Sequence, residues 1–152
     1  MSATLHATSF VLFPLGVRNF ALAAEVVVEL ARPGRVHIFP HTTPELGGVL
    51  VRRGMVLPVW DVAPALLGCA APGPKFYLIA RRRFDGREEW TAIPVDGECR
   101  MVQADAQPCL GMRPAYVRGV VLCGEESVDV IDLERLADVC ELSAEMPVEV
   151  AS

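Results

Sequence analysis

Histidine is scarce in this chain, closely spaced cysteines are missing, and no apolar run is long. Each shortage excludes a class of function. The three histidines are His6, His37 and His41. The spacing of His37 and His41 would suit a metal on one helical face. His37, however, sits in a strand-like run and Pro40 lies between the two, so no metal site is expected there. The five cysteines, Cys69, Cys99, Cys109, Cys123 and Cys140, are odd in number, widely spaced and without a CxxC pair. That pattern fits neither a disulfide framework nor a zinc ribbon. Reduced, mostly buried thiols are expected, as in a cytoplasmic protein. The formal charge of −5 disfavours binding to a phosphate backbone, so no nucleic-acid partner is expected. The longest apolar stretch, Phe20 to Ala31, is interrupted by Glu25 and Glu29 and falls short of the ~20 residues that span a bilayer. The first ten residues, MSATLHATSF, lack a basic lead-in and apolar block, so neither a secretory signal nor direct membrane insertion is expected.

Catalytic signatures are missing too. The chain has no GxGxxG or GxxxxGK[ST] phosphate loop. Val95-Asp96-Gly97-Glu98 has two acids but no nearby histidine, and is expected to be a bend. A thiol enzyme built on Cys99 or Cys109 would need a histidine brought alongside. No cofactor and no catalytic residue are expected.

Material for a core is plentiful. Hydrophobic residues at 52% and charged residues at 22% exclude a disordered chain and allow one compact unit or two very small subdomains sharing a core. The most informative stretch is Gly48 to Leu67, GVLVRRGMVLPVWDVAPALL. An apolar run ends at an Arg-Arg-Gly corner, a second run follows through Pro58 to Asp61, and a short Ala/Leu segment closes on Gly68. The punctuation returns downstream in Arg118-Gly119, Val120-Val121-Leu122, Val130-Ile131, Asp132 and Leu133 to Leu136. Two strand-to-turn units of this kind suggest two small barrels on one plan. Asp61 and Asp132 each stand where a carboxylate can cap a helix, typically worth ~1 kcal/mol. The helix after Asp132 is the better formed, with Leu133, Leu136 and Ala137 on one face.

Elsewhere, Thr8 to Leu15 is expected to be a strand, with a turn at Gly16 to Asn19. A strand from Phe20, a bend near Ala24-Glu25 and a strand from Val27 to Leu30 follow, then a short strand from Val36 to Phe39. Phe76 to Phe84 and Arg87 to Ile93 flank Asp85-Gly86, the favoured pair for a two-residue hairpin loop. That register sets Arg83 opposite Glu88 and Arg82 opposite Glu89, so cross-strand pairing accounts for the arginine triplet. Arg53, at a Gly-flanked corner, can fork onto a carboxylate of this chain or of a partner.

Taken in order, these segments resemble the CheW-like domain family, from about Ser9 to Leu136. FVLFPLG with Phe20-Ala21-Leu22 is similar to the family's opening strands, and Val27-Val28-Glu29-Leu30 to its V-x-E-I strand. Phe39-Pro40 with Pro44 resembles its proline-bearing loop. Gly48 to Asp61 resembles G-V-x-N-L-R-G-x-x-x-P-V-x-D, and Ile93-Pro94-Val95-Asp96 its second-barrel V-D step. Tyr116 to Gly119 and Val130 to Leu136 resemble its closing strands and helix. Val51 and Arg52 stand where the family usually has Asn-Leu, Ala63 where it often has arginine, and Glu98 at a commonly apolar position.

The resemblance implies a mainly β fold of two small five-stranded β-barrel subdomains sharing a core, with a short C-terminal helix. Residues 8–140 would form a single domain. Residues 8–70 with the C-terminal helix would make the first barrel and 75–131 the second, leaving 143–152 as an acidic tail. It implies a non-enzymatic, cytoplasmic adaptor that bridges the cytoplasmic tip of a methyl-accepting chemoreceptor to the regulatory domain of a CheA-type histidine kinase. By matching position, Val27, Glu29, Gly48, Arg53 and Met101 would lie in or near a receptor-facing groove between the barrels. An adaptor of a type IV pilus or surface-motility system is the nearest alternative. A small β-barrel binding a metabolite through Arg53, His37 and Glu29 is the more distant one.

Overall fold

A computed structural model describes residues 8–32, 36–37, 46–69, 74–84, 86–109 and 111–139. Among the described residues, eleven strands form two sheets. In chain order they are β1 (Thr8–Leu15), β2 (Arg18–Ala23), β3 (Val27–Ala31), β4 (Val36–His37), β5 (Leu46–Arg52) and β6 (Met55–Trp60), then β7 (Phe76–Phe84), β8 (Arg87–Val95), β9 (Arg100–Ala104), β10 (Val117–Cys123) and β11 (Glu126–Ile131). Helix α1 (Ala63–Leu67) follows β6, and helix α2 covers residues 133–139.

The first sheet has the order β10-β11-β2-β1-β9, and the second β3-β7-β8-β6-β5-β4. Each contains one parallel pair, β11 with β2 and β6 with β8. The first sheet bends round until Gln107, beyond β9, meets Val120 of β10 in an antiparallel bridge. In the second, Glu29 on edge strand β3 reaches Arg52 on β5. The fold is two β-barrel-like subdomains, as expected, with a two-residue sixth strand, β4, in the second.

The partition of the chain differs from the expected one. Residues 8–70 do not share a barrel, and neither do residues 75–131. The first sheet takes residues 8–23 and 100–131, and the second takes 27–95. The cause is local. A 3-10 turn at Ala24–Val26 ends β2 and redirects the chain, so that β3 pairs with β7. The acidic tail, 143–152, lies outside the described residues.

The burial pattern explains why several strands read as unbroken apolar runs. A strand with both faces covered has no polar side. On β1, Val11, Phe13 and Leu15 enter a large cluster shared by both sheets, while Phe10 and Leu12 enter a smaller one inside the first sheet. On β7, Leu78 and Ala80 join the shared cluster, while Tyr77 and Ile79 fill a third inside the second sheet. Leu66 of α1 and Leu133, Leu136 and Ala137 of α2 also pack into the shared cluster. Backbone and side-chain bonds tie the halves together. The Asp96 carboxylate accepts from the Gly16 N–H, and Asp96 N–H donates to Pro14 O at 3.0 Å. Tyr116 Oη donates to Ala65 O at 3.3 Å.

The repeated punctuation is a repeated structure. β5–β6–α1 and β10–β11–α2 are each a hairpin with a register shift at a glycine, Gly48 and Gly119, followed by an aspartate and a helix. Asp132 Oδ1 accepts from Glu134 and Arg135 N–H at 3.0 and 3.2 Å, and Asp61 Oδ1 from Ala63 N–H at 3.2 Å. Gly119 is needed sterically, since a Cβ there would sit 3.0 Å from Gln107 O, at the bridge that closes the first sheet. Gly119→Ala is therefore expected to cost about 1–3 kcal/mol by overpacking. Urea denaturation would measure this, and an unchanged midpoint would show that the bridge shifts without penalty.

Candidate functional site

The β5–β6 loop has two residues, and both have positive φ: Arg53 at 53° and Gly54 at 75°. This is the pattern of a type I′ hairpin turn, for which Asn-Gly is the usual pair. A non-glycine residue in the left-handed region costs ~1 kcal/mol or more, yet arginine stands there. Its side chain is 73% exposed.

Beside it lies a three-residue charge cluster. Arg52 Nε and Nη2 donate to Glu29 Oε2 and Oε1, both at 3.1 Å, in a two-pronged pair. Arg53 Nη2 makes a single, longer contact to Glu29 Oε1 at 3.4 Å. The fork expected of Arg53 thus exists within the chain, but Arg52 makes it. Arg53 stays largely turned to solvent. Val51, Met55 and Val56, on the strands that flank the loop, are all exposed, with Val51 directly opposite Val56 in the ladder.

Of the five residues expected in the groove, the structure brings Glu29 and Arg53 into contact. Val27 lies on the same strand as Glu29, half-buried against the shared cluster, with a register shift between the two. Gly48 is buried at the β5 irregularity, with φ 133°, a conformation that favours glycine. Met101 is in the first sheet, opposite Val11, and is 66% exposed. Where the sheets meet, a cleft of about 310 Å³ is lined by Ala23, Glu25, Val26, Arg81, Arg82, Arg118 and residues 131–134, and by none of the five. The buried Arg81 Nε on that cleft has no acceptor among the described residues. Sequence reasoning missed Arg52 and the exposed Val51, Met55 and Val56. The available signal was the Arg-Arg doublet at a two-residue turn. Only the second arginine can occupy the loop, so the first must remain on the strand.

The hairpin register at β7–β8 is the expected one, with Arg82 opposite Glu89 and Arg83 opposite Glu88. Arg82 reaches Glu89 at 3.9 Å and lies 5.2 Å over the Trp60 ring. Glu88 instead accepts from Trp90 Nε1 at 3.2 Å.

Two carboxyls are displaced in opposite directions. The Arg52 hydrogen bonds hold Glu29 below its ordinary value, opposed by burial and aided by the charges of Arg52 and Arg53. Burial raises Asp61, opposed by the Ala63 N–H bond and aided by repulsion from Asp96. Glu29 therefore stabilises the fold above its unfolded value, and loses that contribution as pH falls through its lower folded value. Asp61 behaves in the reverse sense, its ionisation weakening the fold as pH rises from its unfolded value through its higher folded one. Glu29→Gln should lower stability at neutral pH and flatten the acid limb. Asp61→Asn, which keeps a capping oxygen, should leave neutral stability equal or higher. Urea midpoints across the acid-to-neutral range would check both. A fall in neutral stability for Asp61→Asn would contradict the assignment.

The thiols differ from the mostly buried expectation. Cys69, just past the left-handed Gly68 that ends α1, is exposed, and Cys99, Cys109 and Cys123 are half-buried. Burial pushes Cys99 up to about 11, which leaves it a thiol at neutral pH and a poor nucleophile. Cys109 Sγ lies 3.7 Å from Val117 O as a weak donor. His37 falls in β4, while His6 and His41 lie outside the described residues. Among the described residues, no group of three or more His, Cys, Asp or Glu side chains is placed to hold a metal. No helix among them is long and apolar enough to cross a membrane.

Comparison with known proteins adds to this geometry. The sequence model of the CheW-like domain matches residues 9–141. Among solved structures, the chain is similar to the scaffolding protein TtCheW from Thermoanaerobacter tengcongensis. Identity is 21%, the TM-score is 0.71, and the match covers 86% of this chain and 87% of that one. No curated protein matches the chain by sequence.

Proposed function

Because the chain belongs to the CheW-like domain family, we propose that it is a non-enzymatic cytoplasmic adaptor coupling a chemoreceptor tip to the regulatory domain of a CheA-type histidine kinase. The observation that carries this reading is the β5–β6 tip. It combines an exposed guanidinium, held in place by its own turn and by a carboxylate, with exposed apolar residues on both sides. A cation at a hairpin tip beside exposed apolar residues suits an interface in which a partner's acid meets Arg53 and its apolar residues meet Val51, Met55 or Val56. Val27, Glu29, Gly48 and Met101 extend the same receptor-facing surface in this proposal. Glu29 orients the arginines, Gly48 shapes β5, and Val27 and Met101 offer apolar contact.

The metabolite-binding alternative loses support, since both Glu29 oxygens are already engaged by Arg52. The pilus variant keeps the same chemistry and differs only in the partner. Calorimetric titration with a purified chemoreceptor cytoplasmic tip, and separately with the regulatory domain of the kinase, tests the proposal. Saturable binding to both is expected in the range of small signalling interfaces. Binding to neither would overturn it.

A further inference from the structure

Among the described residues, the first sheet closes through a single bridge. Gln107 and Val120 exchange two backbone bonds of 2.8 and 2.9 Å. Among the described residues, no ladder joins Arg100–Ala104 to Leu122–Gly124. The gap between them encloses about 390 Å³ and is lined by Arg100, Val102, Gln103 and Ala104 on one side and by residues 122–124 on the other. Two strand edges thus face each other across open space, each with backbone donors and acceptors available for pairing.

The lining of the gap mixes polar groups with a small apolar strip formed by Val102 and Ala104. Arg100, Val102 and Ala104 share one face of β9, opposite Leu12, Phe10 and Thr8 of β1. Val102, Ala104 and Cys123 border the cluster inside the first sheet. Arg100 is the one charge among the described residues lining the gap. It is exposed and has no ion-pair partner among the described residues.

We propose that this gap is a strand-acceptor slot for an extended segment of a partner protein with the pattern Glu-x-Val-x-Val. The glutamate meets Arg100, and the two valines lie over Val102 and Ala104. The occupant follows from the lining. Edge backbone groups favour an extended chain, the period of two puts alternate side chains on one face, and a single cation selects an acid at one end. Ala104 and Cys123 are small, which leaves room for branched side chains. Met101 lies on the opposite face of β9, so the slot is separable from the receptor-facing surface and does not rest on the adaptor reading.

The test is a titration of the full chain, followed by backbone amide shifts, with the blocked peptide Glu-Thr-Val-Thr-Val-Thr. Two analogues accompany it, one beginning with lysine and one N-methylated at alternate amides. Saturable shifts confined to residues 100–104 and 122–124 are expected. The lysine analogue should bind about tenfold more weakly, and the N-methylated analogue should not bind. Arg100→Ala, an exposed change, should erase the preference for glutamate over lysine. Should that variant fail to fold, the three peptides on the unaltered chain decide the matter. No saturable shift, shifts elsewhere, or equal binding of the N-methylated analogue would overturn the proposal.

Discussion

Leu136→Ala is expected to destabilise the fold by about 2–5 kcal/mol, a large share of the ~5–15 kcal/mol that holds a domain of this size together. Leu136 is fully buried, and it packs from α2 into the cluster that both sheets share. That cluster also takes Val11 and Phe13 from β1, Phe20 and Leu22 from β2, and Leu78 and Ile93 from β7 and β8. A cavity at Leu136 would therefore loosen the contact between the halves rather than one half alone. The helix would remain nucleated, because Asp132 still caps it. Urea denaturation followed by circular dichroism measures the loss. A change below about 1 kcal/mol would mean that α2 is not docked as described.

Arg53→Asn is expected to separate stability from binding. Asparagine tolerates the left-handed conformation better than arginine and forms the preferred pair with Gly54, so the melting temperature should hold or rise. The exposed cation is lost, and affinity for the chemoreceptor tip should fall about tenfold, as for about 1.4 kcal/mol. Arg52→Leu should act less obviously. It frees both Glu29 oxygens, so Arg53 can turn inward onto the carboxylate it now touches at 3.4 Å. Binding should weaken although the residue removed faces away from the partner. Calorimetry on the two variants checks this, and unchanged affinity in both would remove the β5–β6 tip from the interface.

Much of the fold is legible in the chain because turn chemistry and burial leave local marks. The Asp-Gly pair in the sequence marks the β7–β8 loop, and the register counted from it, Arg82 opposite Glu89, is the one found, although Asp85 itself lies outside the described residues. Asp132 marks the start of α2. Runs such as FVLFPL mark strands covered on both faces. The partition between sheets leaves no such mark. Val26-Val27-Val28 is a uniform β-branched run, and its pairing with β7 depends on how the 3-10 turn at Ala24–Val26 redirects the chain. The site is half legible for the same reason. Arg53 is flagged by its corner, whereas Arg52 acquires its role only when the curl of the second sheet brings β3 beside β5.

The division of the strands also has a consequence in time. During synthesis β1 and β2 leave the ribosome before β3 to β8, whereas their neighbours β9 and β11 follow those strands. The second sheet, by contrast, is complete once residue 95 has emerged. Until β10 and β11 are made, Phe10 and Leu12 of the opening hairpin lack Val121, Val128 and Val130, which cover them inside the first sheet, an interval in which chaperone capture or aggregation competes with assembly. Pulse-labelled hydrogen exchange on nascent chains should find β7 and β8 amides protected before those of β1. The reverse order would mean that the hairpin finds temporary cover of its own.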